Sequence, residues 1–160
     1  MKGNIRKNAV WLVVSAVLVL ADQLSKKWAQ TVLAARKTMS LIDGVIGFRY
    51  AENTGAAFSA LSGATVFLSV FSLAICIAIA IYMIRSTEGA RALLPLSMIL
   101  AGGVGNLMDR VSYGYVVDFF ELQFMKFAIF NVADICITAG AALLFAVLLF
   151  GGEKRGRMDG

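Results

Sequence analysis

Four long apolar runs, separated by shorter polar segments, dominate the pattern of the chain. A run of roughly 20 apolar residues is long enough for a helix to cross a lipid bilayer, and such runs are typical of transmembrane helices. The first run is the shortest, but the polar residues after it can form its end at the membrane interface. The runs cover residues 9–21, 64–84, 92–108 and 132–150.

The runs predict an α-helical integral membrane protein, with one membrane domain over residues 1–160. Of the two longer connections, 36–63 mixes β-branched and aromatic residues with glycines, which predicts short strands joined by a hairpin turn. The other, 111–130, contains a predicted strand, Val116–Phe120, and then a phenylalanine-rich loop expected to lie on the membrane surface or to cover a groove. The four transmembrane helices are expected at about residues 8–31, 64–84, 92–110 and 131–150.

Composition supports a membrane protein and narrows its chemistry. Apolar residues make up 59% of the chain and the mean hydropathy is +0.79, both high for a soluble protein. Histidine is absent, and Cys76 and Cys136 both fall within predicted helices. We therefore expect no transition-metal site, no disulfide framework, no Ser-His mechanism and no cofactor.

The distribution of charge predicts the orientation of the helices. An even number of spans puts both termini on one side, where the basic residues crowd beside helix ends, whereas most acidic residues lie on the other side. The positive-inside rule then makes both termini cytoplasmic. The net charge of +5 is explained by this topology, and no nucleic-acid partner is expected. The N-terminal segment imitates a secretory signal, but Asp22–Lys26 continues its helical spacing, so we expect it to be retained.

Polar residues gather at the outer ends of the predicted elements, and two of them are aspartates in strongly apolar sequence. Asp118 and Asp134 are the candidate catalytic pair, because a buried carboxylate is paired, protonated or functional. Two carboxyl groups that share such a site cannot both ionise easily, so one can take a proton from water while the other donates one to a carbonyl. The predicted layer contains Asp22, Lys26, Asn53, Asn106, Asp109, Arg110, Asp118, Asn131 and Asp134.

Spacing alone leaves several alternatives open. Asp22 and Lys26 share a helix face, which slightly favours a surface ion pair of little value over support for a polar site. Asn106, Asp109 and Arg110 also share a face and fit interfacial anchoring and a shell around a carboxylate equally well. From the residues alone, a peptidase and a proton- or cation-coupled transporter are equally consistent with intramembrane acids. A structural membrane subunit ranks last, because it leaves the polar layer unexplained.

Five segments of the chain resemble, in order, the motif blocks of lipoprotein signal peptidase, the bacterial signal peptidase II family. They read DQLSK (22–26), ENTGAAF (52–58), GGVGNLMDR (102–110), VVDF (116–119) and FNVAD (130–134). The chain departs from many members in its segment Glu121–Ile129, which is short and rich in phenylalanine and lacks their Trp-Pro pair.

The resemblance implies an intramembrane aspartic peptidase with four helices and a small extracytoplasmic β-sheet, located in the bacterial cytoplasmic membrane. It would cut diacylglyceryl-modified prolipoproteins just before the lipidated cysteine, near the extracytoplasmic face. Asp118 and Asp134 would be catalytic, and globomycin-type inhibitors and membrane lipids would bind. The chain is expected to be monomeric. Supporting or substrate-binding roles would fall to Asp22, Lys26, Asn53, Gly55, Asn106, Asp109, Arg110 and Asn131.

Overall fold

Four long helices and a small sheet make up the described part of the chain. The structure, a computed structural model, describes residues 2–55 and 63–150, with side chains from residue 8 onward. Each long helix is apolar and long enough to cross a membrane, and the predicted fold class is confirmed. The helices are α1, Lys2–Trp28; α2, Thr65–Arg85; α3, Ala90–Tyr113; and α4, Val132–Phe150.

Two sets of residues used in the sequence analysis lie outside the described residues. One is the basic segment Lys154–Arg157, which contributes to the predicted orientation. The other is Ala56–Phe58, the second half of the motif that begins at Glu52.

The first helix extends beyond its predicted end near residue 31. It continues from α1 as a π-helical segment, Ala29–Leu33, and a short helical turn, Ala34–Arg36. Lys37, with a φ of 65°, then turns the chain into the sheet. Ala29 and Leu33 are fully buried, so this irregular segment holds the end of the helix against the strands.

The strands form one antiparallel sheet in the order β1-β2-β3. Strand β1 is Thr38–Ile42, β2 is Ile46–Asn53 and β3 is Val116–Leu122, so the predicted strand Val116–Phe120 is slightly longer than expected. Gly44, with a φ of 72°, lies in the turn between β1 and β2, where the left-handed conformation favours glycine.

An aromatic cluster attaches the sheet to the end of the first helix. The ring of Trp28 packs edge-on against Phe48 of β2, at a centroid distance of 5.2 Å, and against Phe119 of β3, at 6.2 Å. Val117 and Phe119 are buried with Ala29 and Leu33 in the same cluster. This packing orients β3, the strand that carries Asp118, relative to the helices.

Helix α3 lies at the centre of the bundle and packs against α1, α2 and α4, whereas α2 and α4 hardly touch each other. Glycines allow the close approach of α3 and α4: a Cβ at Gly102 would overlap the carbonyl oxygen of Ala133. The outward faces of α2 and α4 are apolar, with Val66 79% and Leu148 72% exposed, as expected for surfaces that contact lipid. The separation of α2 from α4 leaves a cavity in front of α3.

Candidate active site

Asp118 and Asp134 come from different elements and line the same cavity. Asp118 lies on β3 opposite Ala51 of β2, and Asp134 lies in the first turn of α4. The cavity measures about 810 Å³ and is walled mainly by apolar residues of α2, α3 and α4. Asp118 is only 2% exposed, whereas Asp134 is partly exposed to the cavity.

Asn131 connects the two aspartates. Its Nδ2 donates to Oδ1 of Asp118 at 2.6 Å, while its Oδ1 accepts a hydrogen bond from the backbone N–H of Asp134 at 2.9 Å. In return, Oδ2 of Asp134 accepts from the backbone N–H of Asn131 at 3.2 Å. This reciprocal arrangement is a capping box at the N-terminus of α4, so the residue that starts the helix also positions both carboxyl groups.

Two further asparagines hold the remaining carboxylate oxygens. Nδ2 of Asn53, at the end of β2, donates to Oδ2 of Asp118 at 3.0 Å, and Nδ2 of Asn106, on α3, donates to Oδ1 of Asp134 at 2.8 Å. The Oδ1 of Asn53 accepts from the backbone N–H of Gly55 at 2.9 Å. Each of the four carboxylate oxygens thus receives at least one N–H donor.

Asp22 and Lys26 form the expected ion pair, but its predicted position at the surface is wrong, because both residues are buried. Their side chains are 1% and 3% exposed, and the Lys26 ammonium lies 2.9 Å from Asp22 and 3.0 Å from Asp109. The packing of α1 against α3 removes the pair from solvent. Spacing along one helix could not show this, since the second carboxylate comes from a different helix.

Asp22 and Asp109 also bind backbone at the two elements that carry the aspartate pair. Oδ1 of Asp22 accepts from the N–H of Ala133 on α4 at 2.9 Å, and Oδ2 of Asp109 accepts from the N–H of Val117 on β3 at 3.0 Å. The buried network therefore ties the residues adjacent to Asp118 and Asp134 to α1 and α3.

Gln23 belongs to this network and was not among the predicted site residues. Its Nε2 lies 3.0 Å from Oδ1 of Asp109, 3.2 Å from Oδ2 of Asp22 and 3.2 Å from the carbonyl oxygen of Gly105. The available signal was an amide in a membrane helix next to Asp22, where an unpaired polar group is costly.

Arg110 lines the cavity together with Asp118 and Asp134. Its Nη2 donates to the carbonyl oxygen of Gly55 at 3.0 Å. Its buried Nε has no hydrogen-bond partner within the part of the chain that the structure describes. Of the three residues expected on one face of the third helix, Asn106 and Asp109 therefore join the polar shell and Arg110 faces the open space.

The environment of Asp118 favours its protonated form. Burial, followed by the charge of Asp134, raises the pKa of Asp118 from 3.8 to about 7, although hydrogen bonds from Asn53 and Asn131 and the charge of Lys26 act in the opposite direction. This is the behaviour expected of two carboxyl groups that share a site of low polarity. One proton can therefore be held near neutral pH.

A second, more polar cavity of about 1000 Å³ begins where the first one ends. Charged residues of the sheet and of the loop after it line this cavity, among them Arg49, Glu121 and Lys126. Asp118 lies at the junction of the two cavities. The residues common to both linings are Asn53, Asp118, Leu122, Phe127, Ala128 and Ile129.

The loop from Gln123 to Ile129 lies beside this junction. Phe124, Met125 and Phe127 are exposed, at 62%, 47% and 45%, although the ring of Phe127 also packs against Phe130. The predicted apolar loop therefore borders both cavities and leaves part of its apolar surface open.

The described side chains offer carboxyl groups and amides for chemistry rather than a metal-binding set. Among residues 8–55 and 63–150, no three acidic or cysteine side chains lie close enough together to hold a metal ion. The paired carboxyl groups can activate a water molecule and protonate a carbonyl oxygen.

Comparisons with known proteins point to one family. The sequence model of the family described as Signal peptidase (SPase) II matches residues 14–150. A lipoprotein signal peptidase of Lactobacillus johnsonii is 37% identical over 92% of this chain and 97% of its own length. One from Streptococcus pneumoniae is 37% identical over 90% of this chain and 95% of its own.

Solved structures agree with this similarity. A bacterial membrane enzyme determined by the in meso method at 2.3 Å resolution superposes with a TM-score of 0.87, at 27% identity over 95% of this chain and 94% of that one. A second, at 1.9 Å resolution, superposes with a TM-score of 0.80, at 29% identity over 89% and 94% of the two chains.

Proposed function

The chain belongs to the signal peptidase II family, and we propose that it is an intramembrane aspartic endopeptidase that acts through Asp118 and Asp134. Its substrates are diacylglyceryl-modified prolipoproteins, which it cuts just before the lipidated cysteine to release the signal peptide. The position of Asp118 where an apolar and a polar cavity meet is the observation that carries this proposal.

The two cavities match the two halves of such a substrate. A signal peptide and an acyl chain are apolar and suit the space between α2 and α4, which is lined mainly by apolar residues. The mature part of the lipoprotein is extracytoplasmic and suits the polar cavity beside the sheet. A peptide that occupies both would place the bond between its halves beside the aspartates.

The reaction needs one ionised and one protonated carboxyl group. The ionised group takes a proton from a water molecule, whose oxygen attacks the scissile carbonyl carbon, and the protonated group gives its proton to the carbonyl oxygen. When the C–N bond breaks, the carboxyl group that took the water proton gives it to the leaving nitrogen, and the other carboxylate takes a proton from a hydroxyl of the resulting diol. The amine therefore leaves neutral, the signal peptide leaves with a carboxyl terminus, and both aspartates return to their starting states. The four amide and backbone donors hold the carboxyl groups in register during both steps.

The other predicted site residues act around this pair. Asn53, Asn106 and Asn131 orient the carboxyl groups, and Asp22, Lys26 and Asp109 support the elements that carry them. Arg110, fixed at one end by Gly55, lines the cavity and presents its positive charge to the bound peptide.

We further propose a place and partners for the enzyme. It works as a monomer in the bacterial cytoplasmic membrane, with cytoplasmic termini and the aspartates near the extracytoplasmic face. Membrane lipids cover the apolar outer faces of the helices. A globomycin-type inhibitor would compete by putting a hydroxyl group between the aspartates.

A mutational test in proteoliposomes separates a peptidase from an ion transporter. Asp118→Asn and Asp134→Asn are each expected to reduce cleavage of a diacylated prolipoprotein by about 10³-fold or more, because one step of proton transfer is lost. A gel shift of the substrate, with and without globomycin, measures cleavage.

Asp43→Asn, at an exposed turn, is the matched control and should cleave normally. Cleavage retained in either active-site variant, or a proton flux that both variants stop, would count against the proposal.

A further inference from the structure

We infer that Lys26 is a positioning residue: by fixing the orientation of Asn106 it makes Asp134 the ionised member of the pair and leaves the proton on Asp118. This inference rests on the proposed function, since it assigns different tasks to the two aspartates. Asp134 would activate the water and Asp118 would protonate the scissile carbonyl.

The orientation of Asn106 follows from what Lys26 can do. An ammonium group has only donors, so the Asn106 atom 2.9 Å from Nζ of Lys26 must be the carbonyl oxygen. The other end of the amide is then the NH₂ group, which lies 2.8 Å from Oδ1 of Asp134. Nδ2 of Asn131 also donates to this oxygen, at 3.1 Å, so Lys26 supplies the charged one of its two donors. Without the lysine, a single neutral donor would hold the amide, and its oxygen could turn towards Asp134 and repel an ionised carboxylate.

The ammonium of Lys26 is itself held so that it cannot move away. Its side chain is 3% exposed, and Asp22 and Asp109 bind it at 2.9 and 3.0 Å. With the acceptor oxygen of Asn106, the three oxygens match the three donors of the ammonium group. The lysine therefore has one stable position, and so has the amide that it orients.

The surroundings of the two aspartates also favour an ionised Asp134 and a protonated Asp118. Asp134 lies at the N-terminus of α4, where free backbone N–H groups and the helix dipole favour a negative charge, and it accepts from the backbone N–H of Asn131. Asp118 lies on a strand, is 2% exposed, and receives only neutral amide donors. Asp118 therefore keeps the proton, because it is less solvated than Asp134 and does not lie at a helix N-terminus.

The buried and partly buried charged groups near the pair come from two helices, whereas Arg49, Glu52, Glu121 and Lys126 of the sheet and the loop after it line the polar cavity beside Asp118. Helix α1 contributes Asp22 and Lys26, and α3 contributes Asp109 and Arg110. With Asp118 protonated, the cations Lys26 and Arg110 face three carboxylates, counting Asp134. Removing Lys26 leaves more uncompensated negative charge, so ionisation of the water-activating carboxyl becomes harder.

The test compares the pH dependence of kcat for wild type, Lys26→Met and Lys26→Arg on a diacylated prolipoprotein. Wild type should give a bell-shaped profile, whose acidic limb reports the ionised group and whose alkaline limb reports the protonated one. Lys26→Met should move the acidic limb upward by about one pH unit or more, because the oriented donor and a positive charge are both lost. The alkaline limb should move upward by less, because the charge of Lys26 is the smallest of the influences that lower the pKa of Asp118. Lys26→Arg keeps the charge and the donors and should restore the limb.

Controls separate this role from a general effect on structure. Lys27→Met removes the adjacent, exposed lysine and should leave the profile unchanged. Asn106→Leu, which keeps Lys26 with its two carboxylates, should move the acidic limb in the same direction. A lower kcat at every pH with unmoved limbs, or loss of the folded protein in both Lys26→Met and Asn106→Leu, would overturn the inference. Wild type that does not cleave at any pH would instead reject the proposed function.

Infrared difference spectra with ¹³C-labelled aspartate test the proton assignment without activity. At a pH between the two limbs, the band of a protonated carboxyl group should be present in wild type and absent in Asp118→Asn. A band that persists in Asp118→Asn would place the proton on Asp134 and contradict the inference.

Discussion

At the scale of residues, three asparagines hold the two aspartates in place. The side-chain oxygen of each asparagine accepts a hydrogen bond from a group that can only donate, and this fixes the orientation of the amide. A backbone N–H fixes the oxygen of Asn53 and of Asn131, and the Lys26 ammonium fixes that of Asn106. Each amide must then present its NH₂ group to a carboxylate oxygen. The side chains are thereby oriented before a substrate arrives, which is the condition for efficient proton transfer.

The pH dependence of cleavage follows from the state of Asp118. Because burial and the charge of Asp134 raise the pKa of Asp118 to about 7, the carboxyl group still holds its proton below that pH and loses it above. The rate should therefore fall about tenfold per pH unit on the alkaline side of about 7. Initial rates at constant ionic strength measure this. Asp43→Asn should show the same limb as wild type, and a rate that stays constant well above pH 7 would contradict the prediction.

At the scale of elements, the position of each aspartate depends on how its strand or helix begins. Asp134 is set by the capping box that starts α4, and Asp118 by the pairing of β3 with β2. The contact between α3 and α4 then sets the distance between these elements. Gly102 faces the backbone of Ala133, next to Asp134.

Enlarging Gly102 should therefore disturb the site through the helix contact. In Gly102→Ala the new Cβ would overlap the carbonyl oxygen of Ala133 and approach Cγ1 of Ile137 to 2.6 Å. We expect a loss of about 1–3 kcal/mol in stability, seen as a lower midpoint of thermal unfolding in detergent, together with slower cleavage. Gly89→Ala, where a Cβ would meet nothing within 4 Å, is the control. If Gly102→Ala had the stability and the cleavage rate of wild type, the prediction would be wrong, because α4 would have shifted without a loss of stability.

At the scale of the whole molecule, the arrangement puts polar chemistry at one end of an apolar bundle. The sheet and the described parts of the two long connections lie at the end that carries the aspartates, and the short connection between α2 and α3 lies at the other. The cavity lies between α2 and α4, whose outward faces are apolar and exposed. A substrate anchored in the membrane could thus reach the site without leaving the bilayer.

Cysteine labelling in spheroplasts tests the proposed orientation. In a chain whose native Cys76 and Cys136 are replaced by alanine, a cysteine at the exposed position Asp43 should react with a membrane-impermeant thiol reagent. A cysteine at Glu88, exposed in the α2–α3 connection, should react only after permeabilisation, because the positive-inside rule makes that connection cytoplasmic. Retained cleavage shows that each variant is folded. The opposite pattern of labelling would invert the topology.

The sequence by itself determined the features that depend on local pattern. Four runs of sufficient length and hydropathy predict four transmembrane helices, and the structure confirms that fold class. Alternation of β-branched and aromatic residues with glycines indicated the hairpin, and two aspartates in apolar sequence marked the candidate pair. The helices and the hairpin are predictable because bilayer thickness and helix rise act on neighbouring residues. The aspartate pair stays a prediction, which rests on the cost of burying a charge.

Only the tertiary structure decided how the polar residues meet. Lys26 and Asn106 are 80 positions apart, and Asp22 and Ala133 are 111 apart, so no periodicity within one element could reveal their contacts. The spacing of Asp22 and Lys26 suggests a surface ion pair, but the packing of α3 against α1 buries both residues in a polar network. Burial, amide orientation and the junction of the two cavities at Asp118 all arise from packing between elements, where hydrogen bonds must be satisfied without water.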